Sequence, residues 1–440
     1  MDLLGVKRRV TGESAWAPWR CEMGRRAWVA VLAVALAAGL CPAGAGGQGR
    51  AQMTFWSWRG EDRAFYEGMI KQFEAQNPGT SIEFQTYKPT NYATVLSAAM
   101  QAGKGPDIVH LRAYVALQPF ARPEFLGPLE DKVPELKTFA RQWLDGARSR
   151  ADGMVYGVPF AVQGLVIFYN KKMLQSAGVT PPKTWEEFIA ALMTLKDRGI
   201  TPLANGGKEG WTLEIAMGVL GPNFYGGTNF YEAVTRGQTT FKSPQFTGAL
   251  AKMQEIRPYM SQGFMGVAYT DMQQLFINEQ AAMFIGGIWE LGYFKSQNPS
   301  LDIGVMPGPV ARAGDAPWIS SYDDGNYGVN ARSANPALAL KFIRFTASRE
   351  WGQAFTDQLR QISAVPGVVI HDPQLQEVQT WMRHATPYIM LVGFRWKNPT
   401  GSELIQSDLQ GLFAGRMTPQ QVGEDVTRGL STWFEPFRGQ

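Results

Sequence analysis

GVPFAVQGLVIFYNKKMLQSAGVTPPKTWEEFIAAL, residues 157–192, decides how the rest of the chain is read. The run 162–169 is apolar and rich in branched and aromatic residues, which predicts a strand buried on both faces. Asn170 is placed to cap a helix and Gly178 to end it. Pro181 and Pro182 then forbid its continuation. Thr184 opens a second helix, and Glu187, three residues later, completes a capping box. Trp185, Phe188, Ile189 and Leu192 fall on one face of that helix.

Upstream, the pattern alternates in the same way. MTFWSW (53–58) reads as a first strand, and Phe65, Met69, Ile70 and Phe73 line a helix closed by Asn77-Pro78-Gly79. Residues 81–85 read as a second strand, 92–100 as a helix and 106–111 as a third strand. This β-α-β-α-β order predicts a parallel, doubly wound sheet. Ligands of such sheets lie beyond the carboxyl ends of the strands, which singles out Trp58, Arg59, Arg112 and Tyr114. In the first strand the alternation sets Trp56 and Trp58 on one face, with Trp56 expected in the core.

Three words of the central region are the YGVPF strand entry (156–160), FYNKKML (168–174) and PPKTWEEF (181–188). Their order and spacing resemble the extracellular solute-binding proteins of family 1, the maltose-binding-protein-like, sugar-carrying components of bacterial ABC importers. Further matches are GKGPDI (103–108), AAMFIGGIW (281–289), the helix opened by Asn335-Pro336, and the tail 404–433. The resemblance covers nearly everything after residue 50. It implies an α/β, two-lobed periplasmic-binding-protein fold of type II. Each lobe would be a mainly parallel sheet flanked by helices, with several hinge crossings. The expected division is a first lobe over 46–160 and 305–347 and a second over 161–304 and 348–440. The strand at 303–309 would return the chain to the first lobe, and a further crossing would fall near 346–348. WISSYDDGNYGVN (318–330) reads as a strand pair, and 222–242 as a Gly- and aromatic-rich insertion.

A chain of 440 residues exceeds one ordinary core, and 45% apolar with 18% charged residues marks it as globular. AWVAVLAVALAAGL (27–40), preceded by Arg25 and Arg26, is too short to span a bilayer, which takes roughly 20 residues. It fits the apolar region of a secretory signal cut after Ala45, so that 1–45 is a signal peptide. Met23 is an alternative start. Cys41 leaves a lipid-anchored form open, although Leu40 is a poor residue before a lipidated cysteine. The two cysteines, Cys21 and Cys41, both precede the cut, so the mature chain is expected to hold no disulfide. Removing 1–45 takes away six Lys/Arg and three Asp/Glu and lowers the formal net charge from +4 to +1. Nothing here argues for a nucleic-acid partner. GAGGQG (44–49) spells G-x-G-x-x-G, but no strand precedes it, and it is set aside as chance.

A sugar offers hydroxyls round its edge and apolar C–H faces, so it calls for flat rings and forked polar groups. Trp58 with Arg59 and Arg112 with Tyr114 meet that need from the first lobe. Trp289 follows two glycines at a strand end and is the foremost stacking residue. Asp323 and Asp324 precede Gly325, either as hydroxyl ligands or as a plain turn. The resemblance adds Gln163, where maltose-binding proteins carry an acid. It also adds Glu209 and Trp211 in a loop that offers a carboxylate and a ring, and Trp396 as a sugar-stacking aromatic. His110, His371 and His384 are scattered, so neither a metal site nor a cofactor is expected. No nucleophile elbow or phosphate loop occurs. Asp323 and Asp324 would point to opposite faces of a strand, which argues against a glycosidase pair. The expectation is therefore a monomeric binding protein in the periplasm or on the outer face of the envelope. It would close on a mono- or oligosaccharide and deliver it to the transmembrane subunits of an ABC permease. The alternatives are a polyol phosphate or polyamine in the same fold, or a glycan-cleaving enzyme.

Overall fold

The computed structural model describes residues 51–440. The readings of the signal peptide, Met23, Cys41 and the 44–49 motif lie outside the described residues.

Among the described residues, twelve strands form two sheets. They are β1 (Ala51–Ser57), β2 (Thr80–Thr86), β3 (Ile108–Arg112), β4 (Val158–Pro159), β5 (Ala161–Asn170), β6 (Thr201–Leu203), β7 (Ala281–Gly287), β8 (Ile303–Met306), β9 (Ile319–Asp323), β10 (Gly325–Val329), β11 (Ile362–Ser363) and β12 (Ala385–Pro387). The first sheet has the order β2-β1-β3-β10-β4, and the second runs β12-β9-β5-β7-β6, with β8 and β11 also paired to β5. β1 is parallel to β2 and β3, as the opening β-α-β-α-β pattern requires. β10 runs antiparallel to β3 and β4, so the first sheet is mixed, and the second is mixed as well. β5 runs antiparallel to β7, β8, β9 and β11, and parallel pairs occur only at β6–β7 and β9–β12. The apolar run of β5 thus reflects burial on both faces rather than a parallel setting; all of it is buried except Tyr169, which is half-buried.

The local signals of the central stretch are realised. Asn170 Oδ1 accepts from the Met173 N–H at 3.0 Å and starts the helix Lys171–Ser176. Gly178 follows at φ +65°, a left-handed conformation that suits glycine. Thr184 and Glu187 exchange the two bonds of a capping box at the head of Trp185–Asp197. Trp185, Phe188 and Leu192 are buried and Ile189 is half-buried.

Three crossings join the lobes, and they lie side by side. β4 passes into β5 through Phe160, and β9 passes into β10 through Asp324. The helix Arg349–Leu359 passes into β11 through Arg360 and Gln361. Val162 of β5 stands opposite Asp323 on β9 and Ile362 on β11. Backbone bonds tie the crossings together: Asp324 N to Ala161 O at 3.0 Å, Phe160 N to Gly325 O at 3.0 Å and Ala364 N to Phe160 O at 3.1 Å.

Three expectations of layout need correction. The 303–309 strand does not return the chain to the first lobe, since β8 pairs with β5 over Ile303–Met306. The 318–330 strand pair does not lie wholly in the first lobe: β9 and β10 belong to different sheets, and Asp324 is the link between them. The third crossing comes after the helix Arg349–Leu359, whose Trp351 and Phe355 pack in the same buried cluster as β1 and β3. The 222–242 insertion is helical, with Pro222–Tyr225 and Gly227–Thr235. Among the described residues no helix is long and apolar enough to cross a membrane.

Candidate functional site

The predicted residues gather around the crossings and the groove beside them, in distinct groups. At the hinge itself, Gln163 is fully buried and donates through Nε2 to Asp324 Oδ2 and to Gln361 Oε1, both at 3.1 Å. One amide therefore ties together the segments of all three crossings. Asp324 is engaged again by Arg59, at 3.8 Å. Arg59 is buried; its Nε donates to Asp62, and Glu61 lies at 3.6 Å. Burial alone would lower the Arg59 pKa, but Asp62, Glu61 and Asp324 outweigh it and hold the group well above its usual value. Arg59 thus has its polar atoms occupied by protein partners, and Gln163 is engaged through Nε2 while its Oε1 is buried without a partner; both act as hinge ties.

Tyr114 and Asp323 belong to the same junction. The Tyr114 hydroxyl accepts from the Asp323 N–H at 3.1 Å, and Tyr114 adopts φ +59° to reach it. Asp323 is fully buried with both carboxylate oxygens unpartnered. It presses on Gly146, where a Cβ would come within 2.3 Å of Oδ2. Burial, then the charge of Asp324, pushes its pKa well above the usual carboxylate range. Asp323 is therefore walled off from any ligand in this conformation.

Trp58 is buried, whereas Trp56 is half-buried against Tyr87, the reverse of the expected assignment. The core face of β1 carries Met53, Phe55 and Ser57, and Trp58 lies past the end of the strand, where alternation no longer governs it. Its ring stacks on His110 at 4.1 Å, and the Arg112 guanidinium lies 4.5 Å from the ring centroid. Arg112 keeps solvent-exposed surface. Crowding by protein, then the charge of Arg395, are the causes that lower its pKa, with Asp324 opposing.

On the second lobe, Trp211, Tyr269, Trp289 and Glu290 share the lining of a small cavity. Trp211 stands edge-on to Tyr269 at 4.6 Å. Trp289 donates through Nε1 to Glu290 Oε1 at 2.9 Å and to the Tyr269 hydroxyl at 3.2 Å. The two glycines before it do not leave open space as expected, because its ring lies flat on Gly287, where a Cβ would fall 1.8 Å from Cζ3. Glu290 also accepts from Tyr269 at 2.6 Å and Gln273 at 2.8 Å. Burial pushes its pKa up to about 7 against those hydrogen bonds, and Glu61 of the first lobe adds to the rise. Glu209 is not a free ligand: its Oε2 accepts from the Tyr269 N–H at 3.0 Å, at the head of Tyr269–Ile277.

Trp396 is half-buried, donates through Nε1 to Val392 O at 3.0 Å and stands edge-on to Tyr114 at 6.1 Å. Arg150 of the first lobe lies 3.7 Å from its ring centroid. Sequence reasoning missed Glu61, Arg150, Tyr269, Glu290 and Arg395. Glu290 and Arg395 adjoin Trp289 and Trp396, so their neighbours were a usable signal. Nothing local marks Arg150 or Tyr269.

The description that matches residues 56–353 is bacterial extracellular solute-binding protein. The multiple sugar-binding protein of Streptococcus mutans is 24% identical over 96% of this chain and 99% of its own. The maltotriose-binding protein of Pyrococcus abyssi is 25% identical over 71% of this chain and 65% of its own. Among solved structures, a chitin oligosaccharide binding protein superposes with a TM-score of 0.74 at 23% identity, over 88% of this chain and 99% of its own. The protein RafE in complex with raffinose gives 0.72 at 20% identity, over 88% and 100%. The fold is thus the two-lobed one expected, and this chain belongs to the family of bacterial extracellular solute-binding proteins.

Proposed function

We propose that this protein captures a carbohydrate between its lobes and hands it to an ABC permease, acting as a carrier without catalysing a reaction. The observation that carries this reading is the set of half-buried indoles on the second lobe, Trp211, Trp289 and Trp396, together with guanidinium groups of the first lobe, Arg150 over Trp396 and Arg112 over the buried Trp58. Flat apolar rings beside forked donors suit the C–H faces and hydroxyls of a sugar. A ligand that touches both walls stabilises the closed arrangement, and closure is then a shift of population toward it. The relatives named for sugars support the same reading. Export by the 1–45 leader and a monomeric state complete the proposal.

A thermal-shift panel of neutral oligosaccharides, polyols and polyamines tests it. The unfolding midpoint is expected to rise with at least one carbohydrate and with none of the amines. Trp289→Ala is expected to weaken binding of that carbohydrate about thirtyfold, the scale of a central aromatic contact of about 2 kcal/mol. Gly287→Ala should act in the same direction by lifting the ring from its seat. Unchanged affinity in both variants would remove Trp289 from the site. Sustained release of reducing sugar from the bound ligand would overturn the carrier reading.

A further inference from the structure

Two guanidinium groups from opposite lobes, Arg112 and Arg395, have no carboxylate of their own within ion-pair distance among the described residues. Arg112 ends β3 of the first lobe, and Arg395 precedes Trp396 in the second. Trp396, next to Arg395, stands 6.1 Å from Tyr114, two residues after Arg112, which brings the two segments together, and the charge of Arg395 accordingly lowers the pKa of Arg112 while Tyr322 of β9 feels the charge of both. Among the described residues neither forms an ion pair within 4 Å. The Nε of Arg395 is buried with no hydrogen-bond partner. Asp324 is the carboxylate acting on Arg112, but it is already held by Gln163 at 3.1 Å and Arg59 at 3.8 Å. A third guanidinium, that of Arg150, lies over Trp396 beside this pair and likewise has no ion pair.

Bringing two like charges near one another is unfavourable, and an unpaired buried donor adds to the cost. A neutral sugar would relieve little of this. An anion between the two groups would satisfy the free donors and turn the repulsion into two attractions, and a planar guanidinium suits a carboxylate or sulfate bidentately. We propose that the carbohydrate taken by this cleft bears an anionic group, a carboxylate or sulfate, which Arg112 and Arg395 clasp from the two lobes. The ring of the same sugar then lies against the indoles, so the charged group fixes its register. The inference rests on the carbohydrate reading above and narrows it.

The test is calorimetric titration of the purified exported protein with oligogalacturonides, the same oligomers as methyl esters, sulfated disaccharides, and inorganic sulfate. The ester keeps the ring and linkage and removes the charge. A uronide or sulfated sugar is expected to bind at least about tenfold tighter than its neutral counterpart, and its affinity to fall with salt. Which of the two charged sugars binds identifies the anionic group. Arg112→Gln and Arg395→Gln should each weaken the charged ligand about 10–100-fold, and the charged ligand more than its neutral counterpart. Arg112→Lys and Arg395→Lys, which keep the charge and most of the packing, should recover part of the loss. Equal binding of acid and ester, or equal loss of both in the variants, overturns this inference and leaves the carbohydrate reading standing. Inorganic sulfate binding as tightly as the charged sugar also overturns it, since the site would then read a free anion. Failure of every charged and neutral sugar to bind removes the carbohydrate reading, and this inference with it.

Discussion

Trp351→Ala is expected to lower the unfolding free energy by about 3–5 kcal/mol, the usual range for truncating a fully buried Trp. Trp351 is 1% exposed and is ringed by Phe65 at 5.3 Å, Phe345 at 5.6 Å, Tyr327 at 5.7 Å and Phe342 at 5.8 Å. These contacts come from three separate segments of the first lobe, so no small shift of one segment can refill the space. The effect should also reach the groove. Tyr66 and Tyr327 share a hydroxyl bond of 3.0 Å above Trp351, Tyr327 lies 4.9 Å from His110, and His110 carries Trp58. The variant is therefore expected to bind its ligand more weakly even where it remains folded. Urea unfolding, with binding measured well below the midpoint, separates the two effects. A loss under about 1 kcal/mol would mean that the helix Arg349–Leu359 does not brace the first lobe, which is the packing that moved the third crossing past residue 348.

The same helix shows where the sequence stops being informative. Capping and burial are local, so Asn170, Thr184 with Glu187, and the apolar run of β5 could be read directly, and the structure realises each of them. Membership of a lobe is not local. Helix Arg349–Leu359 has an apolar face that would suit either core, and only its contacts decide. β8 has the same ambiguity, being four buried residues with no mark of the sheet that receives them. Strand polarity also escaped, because a run buried on both faces looks alike in parallel and antiparallel settings. For the site, residue type pointed to the right region but not to the role. Gln163, Arg59, Asp323 and Asp324 have the chemistry of sugar ligands, yet Gln163, Arg59 and Asp324 meet one another and Asp323 meets Gly146. Such pairings span as many as 265 positions between Arg59 and Asp324, and no spacing rule reaches that far. Glu290 was passed over for a related reason: a glutamate one residue into a helix is an ordinary surface choice until its burial is known.

That burial makes Glu290 the source of the second large expected effect, a pH-dependent stability gap between the wild type and Glu290→Gln. Its folded pKa is raised, from about 4.5 to about 7. Over that window the folded state holds a proton that the unfolded state has released, so wild-type stability falls as pH rises through it. A rise of this size corresponds to roughly 3 kcal/mol, lost almost wholly as pH rises from 4.5 to 7.5. Other groups act in the same window. Asp408 is also pushed up to about 7, by burial and then by Asp425, and adds to the decline. His110 is held well below its usual value by burial, then by Arg59 and Arg112. Its contribution has the opposite sign, because the unfolded state binds the extra proton as pH falls below about 6.5. The wild-type curve alone is therefore a poor probe. The difference between wild type and Glu290→Gln cancels the terms common to both proteins. Glutamine still accepts but has one acceptor fewer for Tyr269, Gln273 and Trp289, which sets a constant offset without a slope. Relative to wild type, Glu290→Gln should thus gain about 3 kcal/mol between pH 4.5 and 7.5, read from urea midpoints at matched ionic strength. Glu61→Gln removes a charge that adds to the rise and should shift the wild-type window to lower pH without abolishing it. A gap that stays flat across the range would mean that Glu290 is ionised throughout, and that a charged carboxylate holds Trp289 in place at every pH where the protein is folded.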